Sequence, residues 1–396
     1  MKLALHIGTA KTGTTSLQTW FATNRDALGA QGVWYPRAPG AENHRKLMVH
    51  ARDSDKPDAS FGKFGIRTPA EHEAFRTRLR HDLTVEVAAS QRLGHHIWVM
   101  SSEHLHSKIT TPAMITRLHD LLQPLFDDIT VYLHLRPQID LLVSNASQRA
   151  RMGRPVTRAE LTRDAVSSSS SYFNYNKIVG HWEDVFGADH IALQPFRRMP
   201  DMLGFMTRML ALDMTRLTPP DRANRGLDWR SIALANTVNA GFAALKLGTP
   251  PDFHLDDMPG HDRLQLGRAL AQDMQARFDA SNAKLAKRRS DITEADLTPD
   301  WSAHTPDSNL SLIEAPCLFT EQLTHMVRRL AQDRAVEQWR RHMAEGRLAA
   351  LTGDSAGLKR AKRLATEAAA ELDTLGLSVQ DLPPPEVDLA EQTAAS

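Results

Sequence analysis

The sequence predicts an α/β fold: a three-layer parallel β-sheet with an added C-terminal helical region. Three observations predict it. Five brief apolar runs in the first half lack the alternation of a half-exposed strand, as strands covered on both faces by helices do. Helical stretches fall between them, so the repeated unit is strand–helix–strand. After Pro219 every periodic stretch is helical.

The predicted strands are residues 2–7, 32–35, 96–100, 129–135 and 190–195. Between the first two, a helix is expected from Thr14, with Leu17, Trp20, Phe21 and Leu28 near helical spacing and Gly29 and Gly32 ending it. The later helices are expected at 229–246, 264–288, 320–345 and 358–372. The implied division is an α/β core over 1–228, a helical region over 229–375 packed on it, and an acidic, disordered tail over 376–396. Residues 364–396 hold seven acids and no Lys or Arg, and Pro383-Pro384-Pro385 falls among them. The serine run 167–171 is expected to be a mobile loop.

Composition narrows the function. With 396 residues the chain can bury a sizeable core and carry a second unit. Its 41% apolar and 24% charged residues fit neither a disordered polymer nor a membrane protein. Lys+Arg 48 against Asp+Glu 47 gives a net charge of +1, which removes a global case for nucleic-acid or membrane-surface binding. A single cysteine, Cys317, excludes an intramolecular disulfide or a cysteine zinc cluster. No signal-like start and no run of 18 apolar residues is present, so a cytoplasmic location without membrane insertion is expected. Charge is segregated, with no acid before Asp26 and no base after Arg363.

The strongest motif runs from Gly8 to Ser16 (Gly-Thr-Ala-Lys-Thr-Gly-Thr-Thr-Ser), between the first strand and the first helix. Gly8 and Gly13 permit tight turns, and the amides of a helix N-terminus face an anion. Lys11 adds a point charge; Thr12, Thr14, Thr15 and Ser16 add hydroxyls. The plainer alternative is a strand-to-helix turn capped by threonine. A nucleoside-triphosphate P-loop needs Lys directly after the second glycine. Here Lys11 precedes Gly13, and the 96–100 strand runs into Ser101-Ser102-Glu103 rather than a magnesium-binding Asp. An ATPase or kinase is thereby disfavoured.

A second constellation follows the fourth strand. Arg136 stands at its C-terminal end, where ligands of open α/β sheets bind, and Pro137 can start a helix carrying Ser144 two turns on. A forked guanidinium plus a hydroxyl suits a phosphate. Taken alone, a structural ion pair for Arg136 and a surface position for Ser144 fit equally well.

Together, residues 5–18 and 132–144 resemble the 5′-phosphosulfate loop and 3′-phosphate site of the PAPS-dependent sulfotransferases, in particular bacterial ones with a Lys-Thr-Gly-Thr-Thr loop. Asn43-His44, Ser101-Ser102-Glu103, and Trp182 through Arg197 are further echoes, and the resemblance covers about residues 1–230. It implies 3′-phosphoadenosine 5′-phosphosulfate (PAPS) as donor, its 3′,5′-bisphosphate as product, no required metal, and a small-molecule or glycan acceptor. Gly8, Lys11, Thr12, Gly13, Thr14, Thr15 and Ser16 would cradle the 5′-phosphosulfate, and Arg136 and Ser144 would grip the 3′-phosphate. Arg225, in Arg222-Ala-Asn-Arg225-Gly226, loosely matches a late Arg-x-Gly loop of the cytosolic members.

Sulfuryl transfer then requires in-line positioning, charge neutralisation by Lys11 on the leaving oxygen, and a general base for the acceptor. His44 and Glu103 compete as base. His44 ranks first because a neutral imidazole needs less tuning near neutral pH. His95, His96, His104 and His106 read as surface or loop residues. The basic stretch 359–363 reads as a solvated helix face that could also steer an acidic acceptor. Ile232, Val238, Phe242 and Leu245 read as core. The competing classes are a P-loop nucleotide kinase or NTPase and a non-catalytic nucleotide-binding protein. The acceptor regions are expected over 37–68, 151–171 and parts of the helical half, whose Arg, His and Ser and few aromatics suit a polar acceptor such as a carbohydrate more than a planar phenol.

Overall fold

A computed structural model describes residues 1–9, 13–166, 172–198, 201–219, 226–248, 255, 258, 260–314 and 320–382. In chain order, β1 (Lys2–Gly8) is followed by α1 (Thr14–Thr23), α2 (Arg25–Gly29), β2 (Val33–Trp34), α3 (Arg45–Ala51), α4 (Ala59–Lys63) and α5 (Pro69–Arg92). Then come β3 (Ile97–Ser101), α6 (His104–Lys108), α7 (Pro112–Leu122), β4 (Asp128–Leu135), α8 (Gln138–Arg151) and α9 (Arg158–Val166). The chain continues through α10 (Tyr175–Phe186), β5 (Ile191–Pro195), α11 (Met202–Met209), α12 (Trp229–Ala244) and α13 (Arg268–Arg288). It ends with α14 (Leu310–Glu314), α15 (Thr320–Leu351) and α16 (Ser355–Thr374). All five expected strands form, and most of their ends fall within a residue of the expected ones.

The chain divides into two compact units. The first comprises Met1–Ala146, Ala159–Gly226 and Leu264–Asn309. Its sheet has the order β2-β3-β1-β4-β5, with every neighbouring pair parallel. Successive residues point to opposite faces, and the core obeys this. Leu3, Leu5 and Ile7 of β1, Trp98 and Met100 of β3, and Val131 and Leu133 of β4 join one cluster with Leu47 of α3, Leu79 of α5, Leu118 of α7 and Trp182 of α10. Ala4 and Val99 point the other way, to Leu17, Trp20 and Phe21 of α1 and Met206 of α11. Helices therefore cover both faces, which makes three layers.

From β1 the chain crosses β3 to reach β2, whereas from β4 it moves outward to β5. The neighbours β1 and β4 are thus left in opposite directions, and such a switch point opens a crevice at the strands' C-terminal ends.

The two units do not follow the expected boundary at 228, since Ser147–Arg158 groups with the second unit and Leu264–Asn309 with the first. Helix α13, assigned from sequence to the helical region, belongs to the sheet-containing unit. Polar side chains hold it: Gln275 donates to Gln138 Oε1 at 3.0 Å, Asn282 Nδ2 donates to the same oxygen at 3.0 Å, and Gln138 Nε2 donates to Asn282 Oδ1 at 2.7 Å. Leu285 joins the large apolar cluster behind them. A buried amide triangle of this kind has no periodic signature in sequence.

The second unit comprises Ser147–Arg158, Leu227–Arg263 and Leu310–Ser396. Asp228 caps α12 by accepting from Arg230 N at 2.8 Å. Helices α15 and α16 form a hairpin, and Ala331, Ala335, Leu372 and Leu375 bury its seam. The tail expectation is corrected at its start. Leu377, Val379 and Leu382 pack on that cluster, so order extends to residue 382; residues 383–396, with Pro383-Pro384-Pro385, lie outside the described ones. No described helix is long and apolar enough to cross a membrane.

Candidate active site

The C-terminal ends of β1 and β4 lie side by side, with Gly8 closing one and Arg136 following the other, and Gly13, Thr14, Thr15 and Ser16 stand at the start of α1. Gly8 closes β1, with φ +100° and a register shift against β4. Thr9 is pinned to the neighbouring strand, its N donating to His134 O at 3.1 Å and its Oγ1 to the same oxygen at 2.8 Å. Ala10, Lys11 and Thr12 lie outside the described residues. Gly13 then stands as N-cap of α1 at φ +89°, ψ 15°, a left-handed conformation that disfavours any side chain.

Among the described residues no side chain caps α1, its first turn holds no acid, and a Cβ built on Gly13 would meet nothing within 4 Å. The first amides of a helix have no partner within it, so those of Thr14, Thr15 and Ser16 are left without an intrahelical acceptor. Thr14 is buried, Ser16 half-buried and Thr15 exposed. This donor set fits an anionic group.

Arg136 follows β4 directly, half-buried, its guanidinium 5.1 Å over the ring of Phe196. Its carbonyl accepts from the buried Tyr175 hydroxyl at 2.8 Å, which fixes the backbone there. Helix α8 begins one residue later than expected, at Gln138, and Pro137 O accepts its first bond, from Leu141 N. Ser144 is half-buried on α8, about 10 Å along the axis from Pro137 at 1.5 Å per residue. Arg225 and Arg222 lie outside the described residues, as does the 167–171 run.

The two candidate bases have different surroundings. His44 is fully buried, with both ring nitrogens engaged: Nε2 with Pro36 O at 3.1 Å, and Nδ1 accepting from Ser101 N at 3.0 Å. Burial, above all, pushes its pKa down to about 3. It is a strap between the loop after β2 and the end of β3. The expected ranking of His44 first is therefore reversed, because neither nitrogen can meet an acceptor.

Glu103, the N-cap residue of α6 after β3, is partly exposed, and its side chain makes no capping hydrogen bond. Its Oε2 accepts from Gln18 Nε2 at 3.0 Å and from Asn43 Nδ2 at 2.8 Å. The amides are themselves locked. Asn43 Nδ2 also lies 3.1 Å from Gln18 Oε1, and Asn43 Oδ1 accepts from Ser102 Oγ at 2.8 Å. Gln18 Nε2 reaches Ser101 Oγ at 3.1 Å, which lies 2.8 Å from His6 Nδ1. The ring of contacts ties β1, α1, the loop before α3, and the end of β3 into one polar cluster. Oε1 lies 3.4 Å from His104 Nε2. Burial lowers the His104 pKa, while the Glu103 carboxylate pulls it upward.

Sequence reasoning missed Gln18. The available signal was a polar residue on the apolar side of α1, beside Leu17 and Phe21; its exposure is 3%. The histidines read as surface residues are also corrected in part. His106 is fully buried with its ring 4.9 Å from Tyr172, and His95 stacks on Trp34 at 4.7 Å.

No family model and no curated protein matches the chain. The crystal structure of a sulfotransferase from Alicyclobacillus acidocaldarius is similar at 15% identity over 74% of this chain and 98% of that one, with a TM-score of 0.41.

Proposed function

We propose that the protein is a PAPS-dependent sulfotransferase that moves a sulfuryl group to a hydroxyl or amine of a small-molecule or glycan acceptor. The observation that supports the reading is that β1 and β4 pair side by side, so the chain leading to the start of α1 at Gly13 and Arg136 leave adjacent strand ends. Two separated anions are the ligand such a pair suits, and the nucleotide supplies an activated sulfuryl group between its phosphates and the acceptor.

In this reading the amides of Thr14, Thr15 and Ser16 hold the 5′ end, and Arg136 with Ser144 holds the 3′-phosphate. Lys11 neutralises the charge gained by the 5′-phosphate oxygen as its bond to sulfur breaks. Glu103 takes the acceptor's proton as the new bond to sulfur forms. Oε1 is the oxygen for that task, because two amide donors already fill Oε2. Gln18 carries the base on the same helix that carries the anion site, so donor and base share one rigid frame.

The test is transfer of labelled sulfate from PAPS to a panel of sugars and phenols. Wild-type protein should label an acceptor, and Glu103→Gln should slow transfer about 100-fold or more. Unimpaired transfer by Glu103→Gln would remove the base; phosphoryl transfer from ATP in its place would remove the reading.

A further inference from the structure

The α15–α16 hairpin ends in an unusual surface. Its inner faces are small and close-packed: a Cβ on Gly346 would lie 3.5 Å from Ala361 Cβ, and Ala349, Ala365 and Ala368 are buried. The outer stripe of α15 toward the turn is Arg340, Ala344, Arg347, Leu348 and Leu351, at helical spacing and all exposed. Leu348 is 62% exposed and Leu351, one turn on, 79%, the highest value for a large apolar side chain among the described residues. Single exposed leucines are ordinary; two together beside one turn are not.

The charges around them are unbalanced. Arg334, Arg341 and Arg363 pair with Glu371, Glu345 and Glu367. Arg340, Arg347, Lys359, Arg360 and Lys362 are exposed and join no ion pair among the described residues. The carboxylate at the turn, Asp354, accepts from Gly357 N at 2.9 Å and caps α16. Lys359 and Arg360 stand only about 6–8 Å along α16 from its start.

We propose that this tip is a peripheral docking surface for an anionic lipid bilayer. Leu348 and Leu351 enter the boundary between headgroups and acyl chains, and the surrounding cations meet the anionic headgroups. A soluble polyanion would use the cations and leave the leucines idle. A second copy of the tip would bring like charges together. The chain's net charge of +1 conceals the patch, because a total says nothing of where charges of one sign gather.

Flotation of the full-length protein with vesicles tests this independently of any transfer activity. The probes are phosphatidylcholine alone and phosphatidylcholine mixed with phosphatidylglycerol. Binding is expected to the mixed vesicles only and to fall as salt rises. The pairs Leu348→Ser with Leu351→Ser, and Arg347→Glu with Lys359→Glu, should each weaken it about tenfold or more with circular dichroism unchanged. Leu93→Ser, also at an exposed leucine (70%), should leave it intact. Three results would overturn the proposal. They are no binding to either vesicle, binding that ignores the leucines (a polyanion surface), and a concentration-dependent dimer abolished by the serine pair.

Discussion

Asn43 holds one oxygen of Glu103, its Nδ2 donating to Oε2 at 2.8 Å, and the same oxygen receives Gln18 Nε2 at 3.0 Å. A hydrogen bond to a charged group contributes about 1.5–3 kcal/mol. Asn43→Ala should therefore slow sulfuryl transfer by roughly tenfold or more. Affinity for adenosine 3′,5′-bisphosphate should change little, since Asn43 bonds Glu103 and not the residues proposed to hold the nucleotide. Equal losses in rate and nucleotide affinity would show Asn43 to be a general support of the loop.

Gly13 is constrained by its backbone and not by crowding, with φ +89° and open space where a Cβ would stand. Gly13→Ala should cost about 1–2 kcal/mol of stability, seen as a lower urea midpoint. It should also weaken bisphosphate binding by tilting the first amides of α1. Gly13→Asn should be milder, because asparagine tolerates the left-handed region. Alanine and asparagine behaving alike would contradict the backbone account.

The buried histidines set a pH dependence. Burial, as the main cause, lowers His44 to about 3 and His134 and His106 to about 4. Each is neutral in the fold and has a lower pKa than in the unfolded chain, which binds more protons between about pH 6.5 and pH 4. Stability from these groups is complete above about pH 6.5 and declines as pH falls through that window. His134 sits 5.2 Å from the His6 ring and 5.3 Å from Phe205, so phenylalanine should fit there. Urea unfolding across the window should show His134→Phe flattening the slope by about one proton. An unchanged slope would mean that His134 is already protonated or exposed.

Arg136→Ala should weaken adenosine 3′,5′-bisphosphate about 10- to 100-fold, as loss of a charge-assisted contact predicts. Adenosine 5′-phosphate, lacking the 3′ group, should lose far less. Titration of both nucleotides against the variant separates a ligand contact from a structural one, for which the two losses would match.

Much of this was legible in the amino-acid order. The strands read out because each is a short apolar run buried on both faces, as the split of Leu3 and Ala4 between two clusters shows. The tight backbone at Gly8 and Gly13, both at positive φ, and the place of Arg136 just after β4 read out because they depend on local sequence. Three things did not. The placement of α13 depends on amides 137 and 144 residues apart along the chain, Gln138 with Gln275 and Asn282. The standing of His44 depends on burial, which a lone histidine does not advertise. The role of Gln18 depends on Asn43 and Glu103 arriving from two other segments.

The central claim is a site for two anions on one nucleotide, and calorimetry of the wild-type protein with adenosine 3′,5′-bisphosphate and with ATP tests it most directly. The bisphosphate should bind, and ATP should bind much more weakly or not at all. Tight binding of ATP with none of the bisphosphate would contradict the account.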